Sequence, residues 1–308
     1  MIRAGERDNA TVKPLAPPPE FCFVSLEFCI AGSMKRHLKP PAALMLLYLL
    51  AACPSSGPRY VPDPDRNKGL AEDPAKLTAL ADQLTGVPLA EKPPPLARVD
   101  RAIAALEKAL TLAPDQRFEI LWRLARACFE MTESLSDKTQ KHGYAVKGVE
   151  YARLARSLNA KRVEPHYFLA LNMAKVAEAT ANVQLITRMV KPAQEAAKID
   201  EKYDDAGPLR YLGKVYLTAP AWPVSVGDPG KAIETLERAV KLAPVPLNRV
   251  FLGQAYYQDE EYEAAERQLR QALGDPRVSR LDERWKKEAE DYLGRISAGA
   301  TTDPRTNL

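Results

Sequence analysis

Apolar residues beyond about position 95 recur at helical spacing, and the same spacing returns in separate segments of the chain. Ala102, Leu106 and Ala109 stand at offsets 0, 4 and 7, and Pro114 follows at offset 12. The segment 232–244 has the same residue types at the same offsets. Because these offsets fall on one face of an α-helix, the pattern predicts a repeated amphipathic helix that ends before a proline.

A partner helix is predicted before each of these helices. Leu-Gly pairs at 212–213 and 252–253 are each followed by a tyrosine four residues after the leucine. Small residues on one helix let its neighbour approach closely, and large apolar side chains fill the gaps. This arrangement resembles the tetratricopeptide repeat. We therefore expect an all-α fold, a tetratricopeptide-like α-solenoid of about five helix hairpins over residues 70–297, whose charged segment 279–296 forms a C-terminal capping helix.

The first part of the chain lacks this period and carries a candidate export signal. A basic start at 34–39 leads to an apolar run of 11 residues, 42–52, and then to Cys53. The run is too short to span a membrane, which takes about 20 residues. A basic start, a short apolar run and small residues before the cleavage point are typical of a secretory signal. The sequence Leu-Ala-Ala-Cys at its end resembles the lipobox of bacterial lipoproteins.

The lipobox resemblance implies that Cys53 is lipid-modified and becomes the mature N-terminus. Because Pro54 follows it, and not the aspartate that retains lipoproteins at the inner membrane, the resemblance implies the periplasmic face of the outer membrane. The alternative is a buried helix that happens to end in cysteine. The expected organisation is an upstream extension 1–33, a signal peptide 34–52, a lipidated tether 53–69, the helical domain 70–297 and a disordered tail 298–308.

Composition and charge argue against several classes of function. The chain has 44 basic and 40 acidic residues, a net charge of +4, which leaves no clustered basic surface for nucleic acid. Three histidines and four cysteines are too few and too scattered for a metal site. No pairing of a nucleophile with a base is recognisable. We expect no enzyme, no catalytic residue, no metal and no cofactor, with an enzyme kept as the rival interpretation.

One hairpin carries an insertion between its two helices. Residues 217–230 contain three prolines and two glycines, where a standard repeat has only a tight turn. Asp228 and Pro229 suit a helix N-cap and first turn, which favours a structural role for them. With its flanks, the segment contains Gly207, Pro208, Gly213, Pro220, Pro223, Gly227, Asp228 and Pro229. This pattern resembles the T-component family of tripartite ATP-independent periplasmic (TRAP) transporters.

The TRAP resemblance implies a non-enzymatic periplasmic binding component. It would dock a solute-binding protein, assemble as a homotrimer with a central opening, and handle a small apolar or acidic ligand. Trp222 lies in the inserted loop. The residues that the resemblance places on the inner groove are Trp122, Arg126, Phe129, Tyr167, Arg210, Lys214 and Tyr257.

Several of these residues have structural alternatives. Trp122 and Phe129 suit the core between helices, which we favour for both. Arg210 either binds a ligand carboxylate through two hydrogen bonds or pairs with Asp204 or Asp205 at the surface. The repeats and the lipid alone would also fit a second function, a general tetratricopeptide scaffold lipoprotein for outer-membrane or envelope complex assembly.

Overall fold

Helices follow one another with short connections through the described part of the chain. The computed structural model of the protein describes residues 59–86 and 88–299, which contain eleven α-helices and no β-strand. The helices are α1 Pro74–Thr85, α2 Leu96–Leu112, α3 Arg117–Ser134, α4 Lys138–Leu158, α5 Val163–Thr180, α6 Val183–Ile199, α7 Tyr203–Thr218, α8 Pro229–Leu242, α9 Pro246–Gln258, α10 Tyr262–Leu273 and α11 Glu283–Ser297.

Successive helices pack as hairpins. Helix α1 packs on α2, α3 on α4, α5 on α6, α7 on α8 and α9 on α10, while α11 lies on α9 and α10. This confirms the predicted all-α, tetratricopeptide-like α-solenoid of five hairpins and a final helix. The final helix is shorter than predicted, because Pro276–Arg280 forms a separate 3₁₀ helix. Asp282 then starts α11 by accepting a hydrogen bond from the Arg284 amide at 2.9 Å.

Glycines in the first helix of a hairpin let the second helix approach closely. A Cβ on Gly213 of α7 would lie 2.4 Å from Cγ of Leu236 in α8. A Cβ on Gly253 of α9 would lie 2.6 Å from Cγ of Leu269 in α10. Both leucines are fully buried. No side chain fits at either glycine unless the buried leucine that faces it is displaced, so the packing of large residues against small ones sets the spacing within these hairpins.

The insertion between α7 and α8 is held by its own backbone. The Gly227 amide donates to the Pro220 carbonyl at 2.9 Å, and the Asp228 amide donates to the Tyr216 carbonyl at 2.9 Å. Asp228 accepts from the Lys231 amide at 3.1 Å and so caps α8. A Cβ on Gly227 would lie 2.0 Å from the Ala219 oxygen, so this close turn requires glycine.

The described part of the predicted tether packs on the helices. Asp100 of α2 is fully buried and accepts hydrogen bonds from Tyr60 Oη at 3.2 Å and Arg66 Nη1 at 2.5 Å. The Tyr60 amide donates to Gln140 Oε1 of α4 at 2.8 Å. Residues 59–69 therefore belong to the folded domain rather than to a tether, because a buried carboxylate at Asp100 needs these partners.

Other predictions concern residues outside the described ranges. These are the extension 1–33, the signal peptide 34–52, lipid attachment at Cys53, the first residues of the tether and residues 300–308 of the tail. They stay predictions. Within residues 59–86 and 88–299, no helix combines the length and the apolar character needed to cross a membrane.

Replacing Gly213 by alanine is expected to lower the free energy of unfolding by about 1–3 kcal/mol, because the added methyl group overlaps Leu236. Urea denaturation followed by circular dichroism measures this change. The matched control is Gly143→Ala in α4, where a Cβ meets no atom within 4 Å. The control is expected to gain about 0.5–1 kcal/mol from helix propensity. Equal stability of the two variants would contradict the packing argument.

Candidate functional site

The first helices of hairpins two to five share a cavity of about 1040 Å³. Its wall consists of α3, α5, α7 and α9, one face of α6, part of α11, and the connection between α1 and α2. We call this space the inner cavity and the connecting segment 88–94 the strap. The volume is at the upper end of the range of about 300–1,000 Å³ that ligand pockets occupy.

The strap joins α1 to α2 but reaches the last hairpins. The Leu89 amide donates to Asp204 Oδ1 of α7 at 2.9 Å. The Lys92 amide donates to the Arg280 carbonyl at 2.7 Å. Prolines 93–95 restrict the backbone to extended conformations and end the strap where α2 begins. The connection of the first hairpin thereby becomes a wall of the inner cavity.

A left-handed turn at the start of α7 directs Asp204 toward this wall. Asp204, Asp205 and Ala206 have φ angles of 52°, 55° and 60°. Left-handed conformations cost about 1–2 kcal/mol for a residue with a Cβ, so contacts must hold the turn. Asp204 Oδ2 accepts hydrogen bonds from Tyr167 Oη and from Arg210 Nη2, both at 2.9 Å.

Arg210, which donates to Asp204, is the next member of this hydrogen-bonded group. It is only 4% exposed, and its Nη1 donates to the Asp205 carbonyl at 3.1 Å and to Asn248 Oδ1 at 3.2 Å. Of the two alternatives for Arg210, the structure shows the pair with Asp204, buried and not at the surface. We call Asp204, Arg210, Tyr167 and Asn248 the clasp. Because Asp204 occupies its guanidinium, Arg210 lines the cavity without offering a free cation.

A second ionic group ties α11 to the earlier hairpins. Glu133 of α3 forms an ion pair with Lys175 Nζ of α5 at 2.6 Å and also pairs with Arg284 of α11. Burial works against ionisation of Glu133, but the two cations outweigh it and hold the pKa of its carboxyl below the usual value. Glu133 is therefore the counter-ion of both Lys175 and Arg284.

Glu130 lies one turn before Glu133 on α3 and also lines the inner cavity. Its carboxyl group has fewer partners than that of Glu133. One oxygen accepts a hydrogen bond from Arg126 Nε at 2.7 Å. The other, Oε2, is buried without a hydrogen-bond partner in the part of the chain that the structure describes. Burial raises the pKa of Glu130 to about 7, against the lowering effect of Arg126. Glu130 therefore changes its protonation near neutral pH.

The immediate contacts of Lys214 of α7 are uncharged groups. Its Nζ donates to Gln254 Oε1 at 2.9 Å. It lies 4.6 Å from the ring centre of Phe251 and 5.3 Å from that of Trp285. Burial lowers the pKa of the Lys214 ammonium, with a further lowering from Arg284 and an opposing effect of Glu288. Aromatic faces stabilise a cation here, but they do not neutralise it.

Some of the predicted binding residues lie away from the inner cavity, and the others line it. Trp122 stacks on Phe168 inside the core between helices, in keeping with the structural alternative. Tyr257 packs edge-on against Tyr292. Arg126 is engaged with Glu130, and Trp222 lies on the inserted loop. The residues that line the inner cavity are Phe129, Tyr167, Arg210 and Lys214.

Sequence reasoning missed two parts of the cavity wall. It treated α11 as a polar cap, whereas Arg284 and Trp285 line the cavity. It assigned no role to the prolines at 93–95. A tryptophan among charged residues in a terminal helix was the available signal for α11. No signal in the sequence indicates the strap, because its hydrogen-bond partners lie far along the chain.

The fold and this cavity define a class, a tetratricopeptide-like helical repeat protein with a partly open cavity. The crystal structure of TTC0263, described as a thermophilic TPR protein from Thermus thermophilus, matches with a TM-score of 0.55 at 18% identity. The match covers 72% of this chain and 99% of that chain. At this identity the likeness shows the fold alone.

A family model also matches part of the chain. The family of regulator of microtubule dynamics proteins 1–3 matches residues 81–206, which is less than half of the chain. These residues run from within α1 to the left-handed turn of α7. No curated protein matches the sequence of the chain. Among the described residues, no group of three or more His, Cys, Asp or Glu side chains is placed to hold a metal ion.

As the pH rises from about 4.5 to 7, the free energy of unfolding of the parent protein is expected to fall relative to that of a Glu130→Gln variant. The folded-state pKa of about 7 lies above the ordinary value of 4.5, so the folded protein holds an extra proton between these values. The parent should lose about 3 kcal/mol relative to Glu130→Gln across this range. Urea denaturation of both proteins at pH 4.5 and pH 8 measures the difference. A difference that does not change with pH would contradict the assignment.

Proposed function

We propose that the protein is a non-enzymatic binding component of a TRAP-type solute uptake system. It docks a periplasmic solute-binding protein and holds a small ligand in the inner cavity. The observation that carries this proposal is the cavity itself, which the repeats share and which the strap and α11 help to enclose. Its charged groups largely neutralise one another, as Asp204 does for Arg210 and Glu133 for Lys175, and this favours binding over bond-making chemistry.

The inserted loop is the docking surface in this proposal. Trp222 is 85% exposed and Val224 is 67% exposed on a loop whose backbone is internally hydrogen-bonded. Exposed aromatic side chains on a rigid support are common anchors of protein interfaces. A solute-binding protein would bury both side chains on contact.

The remaining parts of the proposal rest on the sequence resemblances. The chain is anchored by lipid on Cys53, faces the periplasm from the outer membrane, and assembles as a homotrimer. The anchor would keep the helical domain beside the membrane while leaving its surface open to a partner.

A second candidate function is a general tetratricopeptide scaffold lipoprotein for envelope complexes. The family match at 81–206 favours it, because that match covers ordinary repeat helices and stops before the insertion. On this candidate the partner is an envelope-assembly factor. The inserted loop would then have no role in docking.

Pull-down from a periplasmic extract of the native host separates the two candidates. The bait is the fragment Ser55–Leu308, one compact unit that holds the whole described core. The parent is expected to recover a solute-binding protein, identified by mass spectrometry, and Trp222→Ala is expected to lose it. Because Trp222 is exposed, the stability of this variant should stay within about 0.5 kcal/mol of the parent.

The matched control for this pull-down is Leu158→Ala, which removes a side chain that is 54% exposed at the end of α4. It is expected to recover the solute-binding protein as the parent does. Recovery of envelope-assembly factors alone, unaffected by Trp222→Ala, would replace the first candidate by the second.

A further inference from the structure

Helix α4 and the three residues after it carry a positive charge that the rest of the chain does not share. Residues 138–161 contain six basic residues and one acidic residue, Glu150, so their net charge of +5 exceeds the +4 of the whole chain. The near balance of charge over the whole sequence therefore conceals a local excess of basic residues. Such an excess on one helix attracts anionic partners.

Acidic side chains do not neutralise the exposed cations of this segment. Glu150 is exposed and lies three residues from a cation on either side, but it forms an ion pair with neither. Glu107 of α2 acts electrostatically on Tyr144 and Tyr151 of α4, but it pairs with Arg66 at 3.5 Å. The exposed cations without a carboxylate within 4 Å among the described residues are Lys147, Arg153 and Lys161.

Two exposed leucines lie among these cations. Leu154 is 43% exposed and Leu158, one turn later, is 54% exposed. Gln140, Lys147 and Leu154 recur every seven positions, so they share one side of α4 with Leu158. Basic side chains together with apolar ones suit a membrane of anionic lipids, which offers phosphates and an acyl layer to the same surface. We call the following set the α4 face: Lys147, Arg153, Leu154, Leu158 and Lys161.

The described chain enters the helical domain on this side of α4. The Tyr60 amide donates to Gln140 Oε1 at 2.8 Å, and Gln140 Nε2 donates to the Tyr60 carbonyl at 2.6 Å. Val61, the next residue, is 79% exposed. Tyr60 comes seven residues after Cys53, and seven residues span at most about 25 Å when fully extended. A lipid on Cys53 would therefore hold this side of α4 within about 25 Å of the membrane.

We propose that the α4 face lies on the surface of an anionic phospholipid membrane. Its basic side chains contact lipid phosphates, and its two leucines reach the boundary of the acyl layer. This inference rests on the lipid-anchor part of the proposed function and adds which face of the helical domain meets the membrane. A lipid anchor and a basic surface together bind a membrane more stably than either does alone. Because α4 contributes no residue to the inner cavity, this contact leaves the cavity wall free.

The test is co-sedimentation of the fragment Ser55–Leu308, which lacks the proposed lipid, with two kinds of vesicle. One contains equal parts of phosphatidylglycerol and phosphatidylcholine, and the other contains phosphatidylcholine alone. The parent is expected to bind the anionic vesicles at least about tenfold more tightly, and to lose this preference in about 1 M salt. Each basic side chain near an anionic surface strengthens binding about fivefold, so Lys147→Gln combined with Arg153→Gln should weaken it about 25-fold. Leu154→Ser combined with Leu158→Ser should weaken it at least about fivefold.

The matched control is Arg267→Gln combined with Lys287→Gln, which removes two exposed cations of α10 and α11 and so changes the net charge equally. It should bind the anionic vesicles as the parent does, and thermal unfolding by circular dichroism establishes that each variant is folded. Equal binding of the parent to both kinds of vesicle, or equal weakening by the control, would overturn the inference. Tight binding to dextran sulfate together with no effect of the leucine substitutions would indicate a soluble polyanion and would also overturn it.

The vesicle test and the pull-down can fail independently. Vesicle binding through the α4 face combined with a failed pull-down would leave the membrane contact standing and remove the docking proposal. The opposite pair of results would do the reverse. The lipid anchor has its own test, the incorporation of labelled palmitate into the full chain and its loss in Cys53→Ser, because vesicle binding by the fragment does not need the lipid.

Discussion

The buried ion pair between Asp204 and Arg210 joins parts of the chain that a simple stack of hairpins would leave apart. Through it, α5 contributes Tyr167, α9 contributes Asn248, and the strap contributes the Leu89 amide. The left-handed turn at 204–206 costs about 1–2 kcal/mol per residue. Breaking a buried ion pair by removing one partner costs about 3–5 kcal/mol, which is similar to the total of about 3–6 kcal/mol for the three residues of the turn. The turn therefore persists only while the clasp is intact.

The clasp and Glu133 together change what the solenoid can do. In a repeat protein each unit ordinarily contacts only its neighbours, which leaves the inner face open. Here Glu133 of the second hairpin pairs with Arg284 of the final helix. The strap from the first hairpin reaches Arg280 through both Lys92 and Glu91. These long-range contacts turn an open face into a walled cavity, which favours a small ligand there and a protein partner on the outer surface.

The hairpins could be predicted from the sequence because their packing is local. Gly213 and Leu236 indicate where one pair of helices crosses. The buried face of α8 follows from the spacing of its apolar residues. The partner of Arg210 was one of two alternatives, and residue types could not decide between them. The decision depends on the left-handed backbone at 204–206, and Ala206 gives no sign of it. The strap contact between Leu89 and Asp204 spans 115 positions, a separation that no local pattern encodes.

The central claim is that the strap forms one wall of the inner cavity by binding the clasp and the 3₁₀ segment before α11. Amide hydrogen exchange of the fragment Ser55–Leu308, followed by NMR, tests this claim most directly. The account predicts that the Leu89 and Lys92 amides exchange as slowly as the amides of α7, because both donate to oxygen atoms of distant hairpins. Exchange of these two amides at the rate of an unprotected loop would mean that the strap is not held as a wall of the cavity and would contradict the account.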